Sequence, residues 1–219
     1  MRTGGIILAL LMLASCTSTS TATPPPSSAT PTTTTTSTSS TPAAPDPALI
    51  EGRLKKAQLT VDMVAPLGYR VSGEEQQQKN YPVVACPEDL STDGAMSATR
   101  MATHWVDKPA FSTLIQFTVS YRRVAAAAET VQLARKALEC GTFTSGDSTY
   151  TFEKELAIPP LGADAQFAVC FRDRGYVQCS LLLTKADLLT SLTYIGPDDA
   201  RAATDLEAAG RAVLPLLSS

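Results

Sequence analysis

Two cysteines near the end of the chain, Cys170 and Cys179, restrict the fold more than any other feature of the sequence. Between them, Arg174-Gly175 has the composition of a two-residue hairpin turn, because glycine tolerates a positive φ. Counting outward from that turn, or from a four-residue loop around it, places the cysteines opposite each other at a non-hydrogen-bonded pair. The Cα separation there is about 4.5 Å, which a disulfide can bridge. We therefore predict a Cys170–Cys179 disulfide, against the alternative of two buried free thiols.

The remaining three of the five cysteines are Cys16, Cys86 and Cys140. By elimination, Cys86 pairs with Cys140, and this second bridge would tie a Gln-rich stretch to the end of a helix. Disulfides persist in an oxidising compartment, which is where an exported chain folds. Cys16 is then left over, and an odd cysteine in an exported chain requires an explanation.

The motif Leu13-Ala14-Ser15-Cys16 supplies that explanation, because it has the pattern of a bacterial lipobox. Before it, Arg2 is followed by an apolar run too short to cross a hydrocarbon core about 30 Å thick. We expect residues 1–15 to be a lipoprotein signal peptide and Cys16 to carry a lipid after cleavage. The chain would then be anchored to the extracytoplasmic face of the cell membrane. The alternative is an ordinary secretory signal.

Residues 16–45 begin with the lipidated cysteine, and the rest of the segment consists almost entirely of Ser, Thr, Pro and Ala. Such a segment cannot bury enough surface to fold. We expect a disordered linker that reaches at most roughly 90 Å when extended. Its composition also resembles that of O-glycosylated stalks. Residues 46–219 have the length of a single domain.

Three helices are predicted in that domain: one from Asp46-Pro47, one over Val124–Cys140 and one from Asp198-Asp199 toward Pro215. In the first, Leu49, Ile50, Leu54 and Ala57 fall on one face. Six strands are predicted, at 101–106, 111–121, 149–156, 165–172, 176–183 and 188–195. The order gives an α+β fold with a mainly antiparallel sheet of about six strands, packed by two to three helices and held by two disulfides. We expect the stretch 70–93 to be a long surface loop.

The sequence offers few groups for catalysis. His104 is the only histidine, so neither a hydrolase triad nor a zinc site is well supplied, and we expect His104 to be structural. No phosphate-binding glycine loop, metal site or cofactor motif is present. Acid pairs at Glu74-Glu75, Glu88-Asp89 and Asp198-Asp199 are typical of solvated charges or helix caps.

A net charge of −3 argues against a nucleic-acid partner. No later segment is apolar enough for a membrane-spanning helix. Five aromatic residues could line a pocket, although aromatics on sheet faces belong more often to the core. They are Trp105, Phe111, Phe117, Tyr121 and Tyr176.

The order of elements is also informative. A helix that ends in cysteine (Ala134–Cys140), later strands with two more cysteines and a closing Ala-rich helix occupy roughly residues 81–217. Together with the lipobox and the stalk, this layout resembles actinobacterial lipoproteins that carry the extracellular sensor domain of the PknH type. The resemblance implies a ligand-sensing domain with a cleft and no known catalytic residues.

The sequence is therefore compatible with three functions. The first is a ligand-binding or sensor-like domain, tethered to the membrane, whose partner is a small ligand or an envelope protein. The second is an accessory lipoprotein that docks onto a membrane complex, and the third is an envelope hydrolase that uses carboxylates. A deep apolar cavity would favour ligand binding, a polar cleft with facing carboxylates would favour the hydrolase, and a flat exposed apolar patch would favour docking.

Overall fold

The computed structural model describes residues 46–72, 76–77, 90–145 and 148–218. In this part of the chain the fold is α+β, with one antiparallel sheet and helices packed on both of its faces. The helices are α1 (Pro47–Lys56), α2 (Val61–Val64), α3 (Val124–Ala137) and α4 (Asp199–Val213). The strands are β1 (Arg70–Val71), β2 (Gln76–Gln77), β3 (Met96–Asp107), β4 (Ser112–Tyr121), β5 (Thr142–Ser145), β6 (Ser148–Glu155), β7 (Ala165–Asp173), β8 (Tyr176–Lys185) and β9 (Leu188–Gly196).

The sheet has nine strands among the described residues, in the order β1-β3-β4-β9-β8-β7-β6-β5, with β2 also paired to β3. The predicted number of about six is therefore too low. The three additional strands, β1, β2 and β5, are two to four residues long, too short to show an alternating pattern. Because β1 and β2 pair with β3, the expected surface loop over 70–93 is wrong at those two points.

The hairpin predicted from the cysteines is confirmed. Asp173 lies opposite Tyr176, and Arg174 and Gly175 both have positive φ, as the two-residue turn requires. Cys170 consequently faces Cys179 with a Cα separation of 4.0 Å, and the structure joins them as a disulfide. This is the one disulfide seen in the described residues, where two were expected in the fold. Cys86 lies outside them, so its bond to Cys140 stays a prediction.

The predicted helix starts are confirmed by their caps. The Asp46 carboxylate accepts a hydrogen bond from the Ala48 amide, and Asp198 accepts one from the Ala200 amide. The second predicted helix ends as α3 at Ala137 and continues to Cys140 as a 3-10 turn. The single-turn α2 was not predicted. No helix within the described ranges is long and apolar enough to cross a bilayer.

Strand alternation divides the core into two layers. On the α4 face, side chains such as Trp105 and Leu181 pack with α1 and α4, and the Cys170–Cys179 disulfide belongs to the same cluster. On the α3 face, side chains such as Phe117 and Leu182 pack against the alanines of α3. The first predicted helix is wrong at one position, because Leu49 is exposed while Leu54 is fully buried.

A buried polar network fixes the C-terminal end of α1 to the α4 face. The Gln116 side chain is fully buried; its Nε2 donates to the Ala57 carbonyl at 2.8 Å and its Oε1 accepts from the Leu59 amide at 2.8 Å. Beside it, Gln58 donates to Thr118 and accepts from Thr103. These bonds satisfy the backbone groups where the chain leaves α1, which burial would otherwise make costly.

A second attachment holds the middle of α1. Arg53 makes two hydrogen bonds to Asp187, from Nη2 at 2.6 Å and from Nη1 at 3.0 Å. Asp187 also accepts from the Ser120 hydroxyl. Such a two-pronged contact restricts the orientation of both side chains more than a single bond does, so α1 is held at two points along its length.

Candidate functional site

Among the described residues, α3 packs against only part of the α3 face. Three aliphatic residues on it, Val106, Ile115 and Ile195, are partly buried and belong to neither core cluster. Strand register places them in two adjacent rows that run across the sheet. We call these the open rows: His104-Ile115-Thr193-Ser180, and Val106-Thr113-Ile195-Gln178-Phe171.

Polar and apolar side chains alternate along the second open row, whereas the first row ends on two buried polar residues, Thr193 and Ser180. His104 precedes Ile115 in the first row, and Thr113 and Gln178 flank Ile195 in the second. Thr193 and Ser180 hydrogen-bond to each other at 2.9 Å. By contrast, no hydrogen bond to another described residue is made by the side chains of His104, Thr113 or Gln178. Their donors and acceptors are therefore available to a molecule bound on this face.

Aromatic side chains border the rows on the β5–β7 side. Phe171 is fully buried, and its ring contacts Phe143 edge-on at a centroid distance of 5.1 Å and Phe152 at 6.2 Å. Tyr150 stacks on Phe143 at 5.2 Å. Phe152 and Tyr176 keep 36% and 51% of their surfaces exposed. This aromatic edge, Phe143, Tyr150, Phe152, Phe171 and Tyr176, presents ring surface beside the polar positions of the rows.

Charged residues are confined to the ends of the rows. The rows contain no Asp, Glu, Lys or Arg. Arg70 pairs with Val106 at the β1 end, and Asp173 pairs with Tyr176 at the opposite corner. Among the described residues of the rows, the positions between these two points therefore carry no carboxylate, ammonium or guanidinium group.

A charged cluster lies on the opposite, α4 face. Arg201 donates to Asp107 at 2.6 Å, to Asp205 at 3.0 Å and to the Leu67 carbonyl at 3.1 Å. The Tyr69 hydroxyl donates to Asp205 at 2.7 Å. The hydrogen bond from Arg201 holds the pKa of Asp107 below its ordinary value, whereas burial raises the pKa of Tyr69. Because its charges are mutually paired and mostly buried, we interpret this cluster as a clamp between α4 and the segment before β1.

The residues singled out from the sequence fall in different places. Cys16 and Cys86 lie outside the described residues, and Cys140 ends the turn after α3. The disulfide of Cys170 and Cys179 is buried on the α4 face, away from the open rows. His104, by contrast, lies in the open rows.

Of the five aromatic candidates, one reaches the site. Trp105 is buried on the α4 face, while Phe117 and Tyr121 are buried beneath α3, where burial raises the pKa of Tyr121 to about 12. Phe111 lies in the β3–β4 turn with a φ of 52°, so that β4 begins one residue later than predicted. Only Tyr176 lies on the aromatic edge.

The central site residues Thr113, Ile195 and Gln178 were missed by the sequence analysis. Their common property is a position in the alternation of three strands, and that property becomes visible only when β4, β9 and β8 are placed side by side. The hairpin register at Cys170 and Cys179 could have aligned β7 with β8. The pairing of β4 with β9 joins residues 68 to 82 positions apart and has no comparable local signal.

The arrangement defines a class of fold, in which one antiparallel sheet lies between helices. No protein-family model matches the chain, and no curated protein is similar to it. Among solved structures, the extracellular domain of PknH from Mycobacterium tuberculosis has a similar fold, with a TM-score of 0.57 and 13% identity over 77% of this chain and 97% of that one. An uncharacterised Mycobacterium smegmatis protein aligns with a TM-score of 0.41 and 12% identity, over 70% and 96%. The first of these establishes that the chain has the fold of a PknH-type extracellular domain.

Proposed function

We propose that this chain is an extracytoplasmic ligand-binding domain of the sensor type, with the open rows as its binding surface. The observation that carries the proposal is a set of three polar side chains, His104, Thr113 and Gln178, that hydrogen-bond to no other described residue and lie among aliphatic residues that no core cluster includes. A few convergent polar groups on a mostly apolar surface are typical of small-molecule sites. The fold of the PknH extracellular domain supports the same function.

The hydrolase alternative gains no support from this surface. Carboxylate catalysis of glycoside cleavage needs two acids within about 10 Å across the scissile bond, and the open rows contain none. Asp107 and Asp205 occur together, but both bind Arg201. We therefore assign the chain a binding role without catalysis.

A blocking substitution tests the binding surface. Thr113→Arg places a long side chain in the middle of the open rows, and Thr149→Arg makes the same change at an exposed position of β6. Fractions of cell-envelope extract, separated into lipids, neutral glycans and small metabolites, are screened by thermal shift. We expect one fraction to raise the midpoint of the native chain and of Thr149→Arg, because a ligand that binds the native state stabilises it. The same fraction should leave Thr113→Arg unchanged; equal shifts in both variants would contradict the proposal.

We further propose that the domain is tethered to the membrane through a lipid on Cys16, with residues 16–45 as the tether. The lipobox Leu13-Ala14-Ser15-Cys16 supports this. A Cys16→Ala chain expressed in a bacterium that processes lipoproteins should move from the membrane pellet to the soluble fraction. Full sedimentation of the variant with membranes would show that Cys16 is not the anchor.

A further inference from the structure

We infer that the ligand of the open rows is an uncharged glycan. The inference rests on the proposed function and names the chemical class that this surface fits. Three properties of the surface carry it: the absence of fixed charge, the alternation of polar and apolar positions, and the aromatic edge.

The lack of charged side chains in the rows argues against ionic ligands. A buried ionic group is costly unless an opposite charge pairs with it. The open rows hold no Asp, Glu, Lys or Arg, and Arg70 and Asp173 are present only at their two ends. A phosphorylated or carboxylated molecule lying across the middle of the second row would therefore lose hydration without gaining a paired charge there.

The alternation of polar and apolar side chains in the second row argues against a purely apolar ligand. An acyl chain along the second row would cover Thr113 and Gln178 and leave their hydrogen-bonding groups without a partner, at the usual desolvation cost. A sugar ring carries hydroxyl groups at its edge and C–H groups on its faces. It can thus contact Ile195 while it hydrogen-bonds to the polar residues on either side.

The aromatic edge also favours a sugar as the ligand. Aromatic rings have electron-rich faces, which attract the polarised C–H bonds of a sugar. Tyr176 lies two residues before Gln178 on β8, Phe152 lies opposite Phe171 on β6, and both side chains are exposed. The second row crosses five strands, β3, β4, β9, β8 and β7, a span of about 19 Å at the usual interstrand spacing. This length suits a short oligosaccharide better than a single ring.

The test compares defined probes on four proteins: the native chain, Thr113→Arg, Gln178→Met and Thr149→Arg. The probes are neutral hexasaccharides of glucose, mannose, galactose and arabinose, an acidic galacturonate hexasaccharide, and palmitate. We expect at least one neutral hexasaccharide to bind the native chain in calorimetric titration and to bind Gln178→Met about tenfold more weakly, because the amide hydrogen bonds are lost. Thr149→Arg should bind like the native chain, and the acidic hexasaccharide should bind more weakly than its neutral counterpart.

Two results would overturn the inference, and they are distinguishable. If palmitate or the acidic probe binds and Thr113→Arg abolishes that binding while no neutral hexasaccharide binds, the ligand class is wrong and the binding surface stands. If Thr113→Arg changes the binding of no probe, or if Gln178→Met binds the neutral sugar as well as the native chain does, the open rows are not the glycan site. Unliganded thermal midpoints show that each variant is folded.

Discussion

Replacing Gln116 by methionine should lower the free energy of unfolding by about 3 to 4 kcal/mol, because two buried backbone groups would lose their only partners. Gln116 is fully buried and bonds the Ala57 carbonyl and the Leu59 amide. Methionine fills a similar volume but neither donates to the carbonyl nor accepts strongly from the amide. The neighbouring hydroxyls of Thr118 and Thr190 keep their mutual hydrogen bond at 3.1 Å. The loss of stability therefore arises mainly from the backbone groups at the end of α1.

Urea denaturation of both proteins measures this effect. Gln178→Met is the matched control: it makes the same change on the open rows, where the amide bonds no described residue, and it should alter stability by less than about 0.5 kcal/mol. Equal losses for the two variants would mean that side-chain volume, and not the hydrogen bonds of Gln116, determines the result.

Arg201→Met should lower the free energy of unfolding by about 2 to 3 kcal/mol. It removes the cation that pairs with both Asp107 and Asp205 and leaves two mostly buried carboxylates without a counter-charge. Breaking a fully buried pair costs about 3 to 5 kcal/mol, and the partial exposure of Arg201, 24% of its side chain, reduces this figure. Arg211→Met, on the same helix, loses only an exposed pair with Glu207 and should cost less than about 1 kcal/mol.

The pH dependence provides a second check on the same variant. Arg201 lowers the pKa of Asp107 in the folded state, so the stability that this pair contributes is present above the ordinary carboxyl pKa of about 3.9. It is lost as the pH falls through the lower, folded-state pKa. The difference in stability between the native chain and Arg201→Met should therefore shrink below about pH 4. A difference that stays constant down to pH 2 would exclude Asp107 as the partner that matters.

Local signals predicted the fold well where they were strong. The turn at Arg174-Gly175 determined the register of Cys170 with Cys179, and capping aspartates located two helix starts. The prediction was weaker for segments whose secondary structure depends on tertiary pairing. β1 and β2 have two residues each and are strands only because β3 lies beside them.

The site was harder to predict than the fold, for a related reason. Gln116 and Thr113 differ by three positions on β4, and their odd spacing places them on opposite faces of the sheet. One is buried beneath α1 and the other lies on the open rows. No local signal indicates which face α1 will cover, because its bonds to Gln116 join residues 57 and 59 positions apart.

The attachment of α1 has a mechanical consequence. The described chain begins at Asp46, so tension applied from the N-terminal side loads α1 first. The contact of Arg53 with Asp187 and the bonds of Gln116 at the far end of the helix transmit that load into β4 and the turn before β9. These contacts are made on the α4 face, and the open rows are on the other side of the sheet. Tension applied ahead of Asp46 would thus strain α1 before it deforms the open rows.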